Sequence, residues 1–262
     1  TFSVGGMQTR VNTLGHGNNW ENEDKLKVSI FTDYDPGSTT VLSFNSATNE
    51  WSRTGSFRWL TDYEQHTILA VYPSDKDFGK NDLQYDLQTD QSSEDNLKNA
   101  DLITGYWHDV PQYDLSIPMK HRMSLVTIVY HVGTADYPNM DISEPQVYSK
   151  HTSVYFNRDD RGQGQFVMIT PTANPAWVQA CKHDDGMFSA IVIPGSYIKD
   201  EVFLKFKIGD NNFNAKMKMP TDFEEGKRYT YKLDVGKDKV ELTRISVDDL
   251  KGWDSNNEEE LK

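Results

Sequence analysis

Forty acidic side chains, seven histidines and one cysteine are the groups in this 262-residue chain that could do chemistry. Acids in pairs suggest glycoside hydrolysis, which needs one carboxyl as acid and another as base or nucleophile. Asp159-Asp160 and Asp184-Asp185 are such pairs, but each sits in a glycine-containing turn, where solvated acids are the ordinary outcome. The histidines are His16, His66, His108, His121, His131, His151 and His183. No two stand four apart, the spacing that puts two imidazoles on one helical face around zinc. Asn157-Arg-Asp-Asp-Arg-Gly-Gln-Gly164 and Ser74-Asp-Lys-Asp-Phe-Gly79 loosely suggest calcium loops, without the closing glutamate such loops need. Cys181 ends the partly apolar run Pro175-Ala-Trp-Val-Gln-Ala and reads as a buried, inert thiol. There is no Gly-x-Ser-x-Gly elbow, no phosphate-binding glycine loop and no dinucleotide fingerprint. The expectation is a non-enzyme with no catalytic residues, no metal and no cofactor. A hydrolase with scattered carboxylates is the weaker rival. Trp51, Trp59 and Trp107 could form a sugar-stacking platform, although core packing is the commoner use of such rings.

A formal charge of -13 argues against nucleic acid, since phosphate binding needs a basic face. One cysteine excludes an intrachain disulfide, so stability must come from burial. No run approaches the ~20 apolar residues of a membrane span. The opening Thr1-Phe-Ser-Val4 carries no leader pattern and reads as a mature or trimmed start.

The elements that would position these residues are strands. Arg228–Val235 alternates, with Tyr229, Tyr231, Leu233 and Val235 on one face. Val202–Ile208, Phe213–Met219 and Leu26–Phe31 alternate too, as half-buried strands do. Leu125–Tyr130 and Ala190–Pro194 are continuously apolar and read as central strands covered on both faces. Turns are signalled at Asp35-Pro-Gly37, Gly209–Asn212, Glu225-Gly-Lys227 and Gly236-Lys-Asp238. The stretch 202–243 therefore reads as a four-stranded antiparallel meander. Ser93 could cap a short helix within Glu94–Leu102, and Asn174-Pro175 could start a helical turn reaching Ala180. The fold class expected is all-β, two β-sandwich domains in tandem (1–119 and 120–262), with few short helices.

In order and spacing, several segments resemble the fimbrillin family, the lipoprotein pilus subunits of Bacteroidetes. They are Thr9-Arg10 with Trp20–Phe31, Ala70-Val-Tyr-Pro73, Asn99–Leu102 with Leu115–Ser124, and Phe188–Pro194. The ending Phe223–Leu233, Val240–Thr243, Ile245 and Trp253 carries the resemblance further. Gly195 departs from the glutamine common there. The resemblance implies transthyretin-like sandwiches, export to the outer membrane as a lipoprotein, and membrane contact only through a lipid on the precursor. It implies partners that are other fimbrillins, joined head to tail by strand exchange, with a host protein or glycan as a further ligand in adhesion. An Arg-specific protease would cut between Arg10 and Val11 and release a first strand whose Phe2, Val4 and Met7 occlude a groove. A donor strand would come from around Val240–Trp253. The physics is sound: a missing strand leaves unpaired backbone beside an apolar groove, and an incoming strand satisfies both. A surface glycan-binding lipoprotein of the same architecture is the alternative.

Overall fold

The computed structural model describes residues 3–4, 20–76, 78, 82–112, 114–115, 117–133, 141–158, 166–172, 174–183, 186–236 and 239–250. The first half holds β1 (Ser3–Val4), β2 (Lys25–Phe31), β3 (Ser38–Asn45), β4 (Glu50–Thr54), β5 (His66–Tyr72), β6 (Asp82–Asp86), the helix α1 (Glu94–Asn99), β7 (Ile103–Asp109), β8 (Asp114–Leu115) and β9 (Met119–His121). Most of these strands form one antiparallel sheet, in the order β4-β3-β2-β5-β7-β9. Its middle strand, His-Thr-Ile-Leu-Ala-Val-Tyr, has every residue buried. Ile68, Ala70 and Tyr72 join one core cluster, with Leu26, Val28 and Ile30. Leu69 and Val71 point the other way, into the main core. Alternation with period two makes this inevitable once both faces are covered.

The second half holds β10 (Ser124–Val132), β11 (Ile142–Ser149), β12 (Ser153–Arg158), β13 (Phe166–Thr172), β14 (Ala176–Gln179), β15 (Cys181–His183), β16 (Met187–Val192), β17 (Gly195–Tyr197), β18 (Val202–Ile208), β19 (Asn211–Lys216), β20 (Thr221–Phe223), β21 (Lys227–Val235) and β22 (Val240–Asp249). A five-stranded sheet, β15-β16-β10-β21-β22, and a four-stranded one, β14-β11-β18-β19, contribute to one core. As expected, β10 and β16 are interior strands. The protein is an all-β sandwich fold.

Two local expectations are corrected. The stretch 202–243 is not one meander. It is two hairpins, β18–β19 and β21–β22, in different sheets. Between them the chain crosses through β20, which pairs with β17, and β21 then lies parallel to β10. The second correction is at Asn174-Pro175, which opens a strand rather than a helical turn. β14 pairs antiparallel with β11. Val178 is buried, while Trp177 lies against Tyr148 at 5.2 Å with the Lys205 ammonium 4.0 Å from its ring. Proline suits a strand start as well as a helix start, and these cross-strand partners decide between them. The helix expectation held: Ser93 Oγ accepts the Asn96 N–H at 3.2 Å, and α1 ends at Asn99.

Residues 82–102 tie the halves together. β6 pairs with β12, completing the sheet β13-β12-β6. The buried Gln91 imitates a strand residue with its side chain. Its amide donates to Ile191 O at 2.9 Å, and its carbonyl accepts the Ile191 N–H at 2.7 Å. Leu97 and Ala100 enter the same core. Nearby, Arg122 Nε donates to Thr104 Oγ1 at 2.7 Å, and its Nη1 reaches Glu225 at 3.0 Å. His121 Nδ1 meets Asp101 at 2.8 Å, both buried. Asp101 Oδ1 has no hydrogen-bond partner among the described residues. Burial alone would push the His121 pKa down. The Asp101 charge and hydrogen bond outweigh that, and the net shift is upward.

Two predictions follow from this joint. Gln91→Leu keeps the volume but orphans the Ile191 N–H and C=O, each costing about 1–3 kcal/mol when buried. Urea unfolding should show a loss of about 2 kcal/mol or more. A histidine whose pKa is raised on folding contributes stability that is complete below its ordinary value of 6.5 and fades as pH rises through the folded value. The urea midpoint of the parent chain should therefore fall, relative to that of Asp101→Asn, as pH is raised from about 6 to 9.

Candidate assembly interface

The two faces of the six-stranded sheet are covered unequally. The main sandwich core lies against one. On the other, Leu26, Val28, Ile30, Leu42, Phe44, Ile68, Ala70, Tyr72 and Ile103 meet Trp20, Phe57, Leu115, Ile117 and Met119. Trp20, Phe57 and Ile117 come from loops, Leu115 from the short strand β8 and Met119 from the sheet's own edge strand β9, so this cover is a thin roof and not a second full sheet. Gly105 on β7 lets the roof sit low: a Cβ there would lie 2.3 Å from Met119 Sδ and 2.8 Å from Ile117 Cγ2. Along the roof runs β1, parallel to β8, with Ser3 opposite Asp114 and Val4 opposite Leu115. Ser3–Val4 thus lies beside the roof by backbone pairing. Phe2, Met7, Arg10 and Val11 lie outside the described residues, and of Val4 only the backbone is placed.

The last described strand, β22, is the outer strand of its sheet. It pairs with β21 from Val240 to Asp249, with a register irregularity opposite Thr230/Tyr231. Leu242 is buried, whereas Ile245 is 58% exposed. Charge guards this edge. Lys218 and Lys239 reach Glu241 at 2.6 and 3.0 Å, and they push its carboxyl pKa down to about 2. Charged edges discourage indiscriminate strand pairing. Trp253 lies outside the described residues.

The groups that could have done chemistry are placed as follows. Asp159-Asp160 and Asp184-Asp185 lie outside the described residues, as do most of 157–164 and, within 74–79, Asp77 and Gly79. Among the described residues no three His, Cys, Asp or Glu side chains gather as metal ligands would. Cys181 is buried, and burial together with Glu94 pushes its thiol pKa up, as an inert thiol requires. Trp51, Trp59 and Trp107 all pack against the roofed cluster. Trp51 meets Trp20 edge-on at 5.0 Å, and Trp59 meets Trp107 at 5.4 Å, tilted by 48°. They are partly buried rings packed on that core, and Trp59 and Trp107 are not coplanar. A polar cleft of about 470 Å³ beside Tyr72 is lined by Asp24, Asp75, Lys76, Asp95 and Lys98. Lys98 is already paired with Glu21 and lies 3.9 Å from Asp24. Reading along the sequence did not single out β8 or the roof. Their only signal is Leu115 and Ile117, two apolar residues in a proline-bounded stretch.

Solved structures share this architecture. A candidate cell adhesion protein from Bacteroides ovatus superposes with a TM-score of 0.66 at 16% identity, covering 94% of this chain and 96% of that one. A similar protein from Bacteroides uniformis gives 0.64 at 16%, covering 88% and 93%. A fimbrial protein from Bacteroides vulgatus gives 0.50 at 12%, covering 88% and 94%. No curated protein matches the sequence. The profile of fimbrillin-like proteins matches residues 9–249, nearly the whole of the described fold, and the chain belongs to that family.

Proposed function

We propose that this chain is a non-enzymatic subunit of a cell-surface fimbria, built by strand exchange between copies or close relatives. The observation that carries the reading is the thin roof on one face of the six-stranded sheet, with β1 laid along it. Removing the first segment frees backbone groups on β8 beside Leu115 and Ile117. A strand from a neighbour restores both pairing and cover. The segment from β22 onward is the donor, since β22 is the outer strand of its sheet. Repeated head to tail, this contact is heterologous and grows a filament. The tandem domains divide near residue 119, with 82–102 as a shared strap. Export proceeds through a lipoprotein precursor to the outer membrane, and Arg10-Val11 is the processing bond. A role in adhesion to a host protein or glycan belongs to the same reading.

The test is limited digestion with an Arg-specific protease, followed by sizing and electron microscopy. The expected result is a cut after Arg10, loss of the first segment, and ladders or filaments that Leu115→Asp suppresses. A cleanly cut chain that stays monomeric at high concentration would overturn the strand-exchange reading.

A further inference from the structure

The strand registers bring three loops to one end of the six-stranded sheet. Phe31 is opposite Thr67, and His66 is opposite Asp109, so the loops 32–37, 55–65 and 110–112 are neighbours. They close the end opposite the one where β9 runs on into β10. Each presents a large apolar side chain to solvent: Tyr34 is 89% exposed, Tyr63 77% and Val110 43%.

These loops are held stiffly. Thr32 Oγ1 accepts the N–H groups of Tyr34 and Asp35 at 3.3 and 3.0 Å, and the Gly37 N–H donates to Asp35 Oδ1 at 2.7 Å. A Cβ on Gly37, at φ +68°, would lie 1.7 Å from Ile30 O, so only glycine closes this turn. The second loop is pinned by buried His66. Its Nε2 accepts the Leu60 and Thr61 N–H groups at 2.9 and 3.4 Å, and Nδ1–H donates to Glu64 O at 2.8 Å. In the third, the Val110 N–H and the Gln112 amide donate to the Asp109 carboxylate at 2.7 and 3.2 Å.

A fold gains nothing from exposing aromatic rings to water. Tyrosines carried on hydrogen-bonded loops suit a binding surface, because little backbone entropy remains to be lost on contact. The charge around them is one-sided. Asp33 and Asp35 flank Tyr34 in sequence, Asp62 and Glu64 flank Tyr63, and Asp109 ends the strand before the third loop. Of the two arginines near them, Arg53 is bonded to Phe57 O, which leaves Arg58. Apolar anchors with a charged rim match a protein interface. A sugar platform is disfavoured, since the nearby Trp59 and Trp107 rings are tilted and packed on the core.

We propose that this end of the sheet docks a basic, partly apolar polypeptide segment, anchored on Tyr34 and Tyr63. The partner's arginines lie over the tyrosine faces and beside the carboxylates, and its apolar residues cover Val110. The inference goes beyond fimbrial assembly and does not depend on strand exchange.

The test uses the uncut chain and a fluorescent synthetic peptide alternating arginine with leucine, read by anisotropy. A glutamate-for-arginine peptide and a set of neutral oligosaccharides serve as rivals. Tyr34→Ser and Tyr63→Ser leave the charge unchanged, so they separate docking here from general attraction to an acidic protein. Each should weaken arginine-peptide binding about tenfold. Val110→Ser should weaken it less, and thermal unfolding should not move. Arginine-peptide binding that the tyrosine variants leave untouched would sink the proposal. So would equal binding of the glutamate peptide, or tyrosine-dependent binding of the oligosaccharides alone.

Discussion

A strand buried on both faces must be covered twice, and much of the first half of this protein answers that requirement. The seven residues of β5 alternate into two separate cores. Each side chain removed from water contributes roughly 1.5–3 kcal/mol, so neither face can be left bare. One face lies against the main core, to which the 82–102 stretch and the second half both contribute. The other is covered by a few residues from loops, from β8 and from the edge strand β9. Those two covers are unequal in how much rearrangement they allow. A packed sandwich opens only by unfolding, whereas a roof of loops and short strands buries less surface and is held by fewer contacts.

The strap at 82–102 makes the two halves one mechanical body. β6 extends a sheet of the second half, and Gln91 pairs with β16 as a strand would. The two halves are therefore joined by side-chain hydrogen bonds and buried apolar residues as well as by the covalent chain. The His121–Asp101 and Arg122–Glu225 pairs sit at the same joint. Breaking a buried pair leaves a charge without a partner, which costs more than the pair itself contributes.

What could be read along the chain was local. Alternation located β2, β18 and β21, continuous apolar runs located β10 and β16, and Ser93 with its following acids located α1. What could not be read was long-range pairing. Nothing near Leu125 says that its neighbour is Arg228, because a parallel ladder leaves no turn between its strands. Pro175 was misleading for a related reason, since its partners on β11 lie about thirty residues earlier. The insertion of β6 beside β12 was equally silent. At the candidate interface, the apolar character of Leu115 and Ile117 was visible, but the seating of Ile117 over Gly105 was not. Tyr34 and Tyr63 did carry a signal: an aromatic flanked by acids within a turn has no strand face to fill.

The parallel ladder between β10 and β21 bears on how the chain comes to be made. Val126 waits for Tyr229, and Ile128 for Tyr231, about a hundred residues later. Until the ribosome has passed that point, β10 has one edge without a partner, and its apolar residues lack their cover. Loop closure over such a span is slow, and an open apolar edge invites the wrong neighbour. A chain of this topology is best kept extended until synthesis is complete, the state in which a polypeptide can be threaded through an export channel. The same long-range pairing that delays folding inside the cell would thus suit a protein meant to fold outside it.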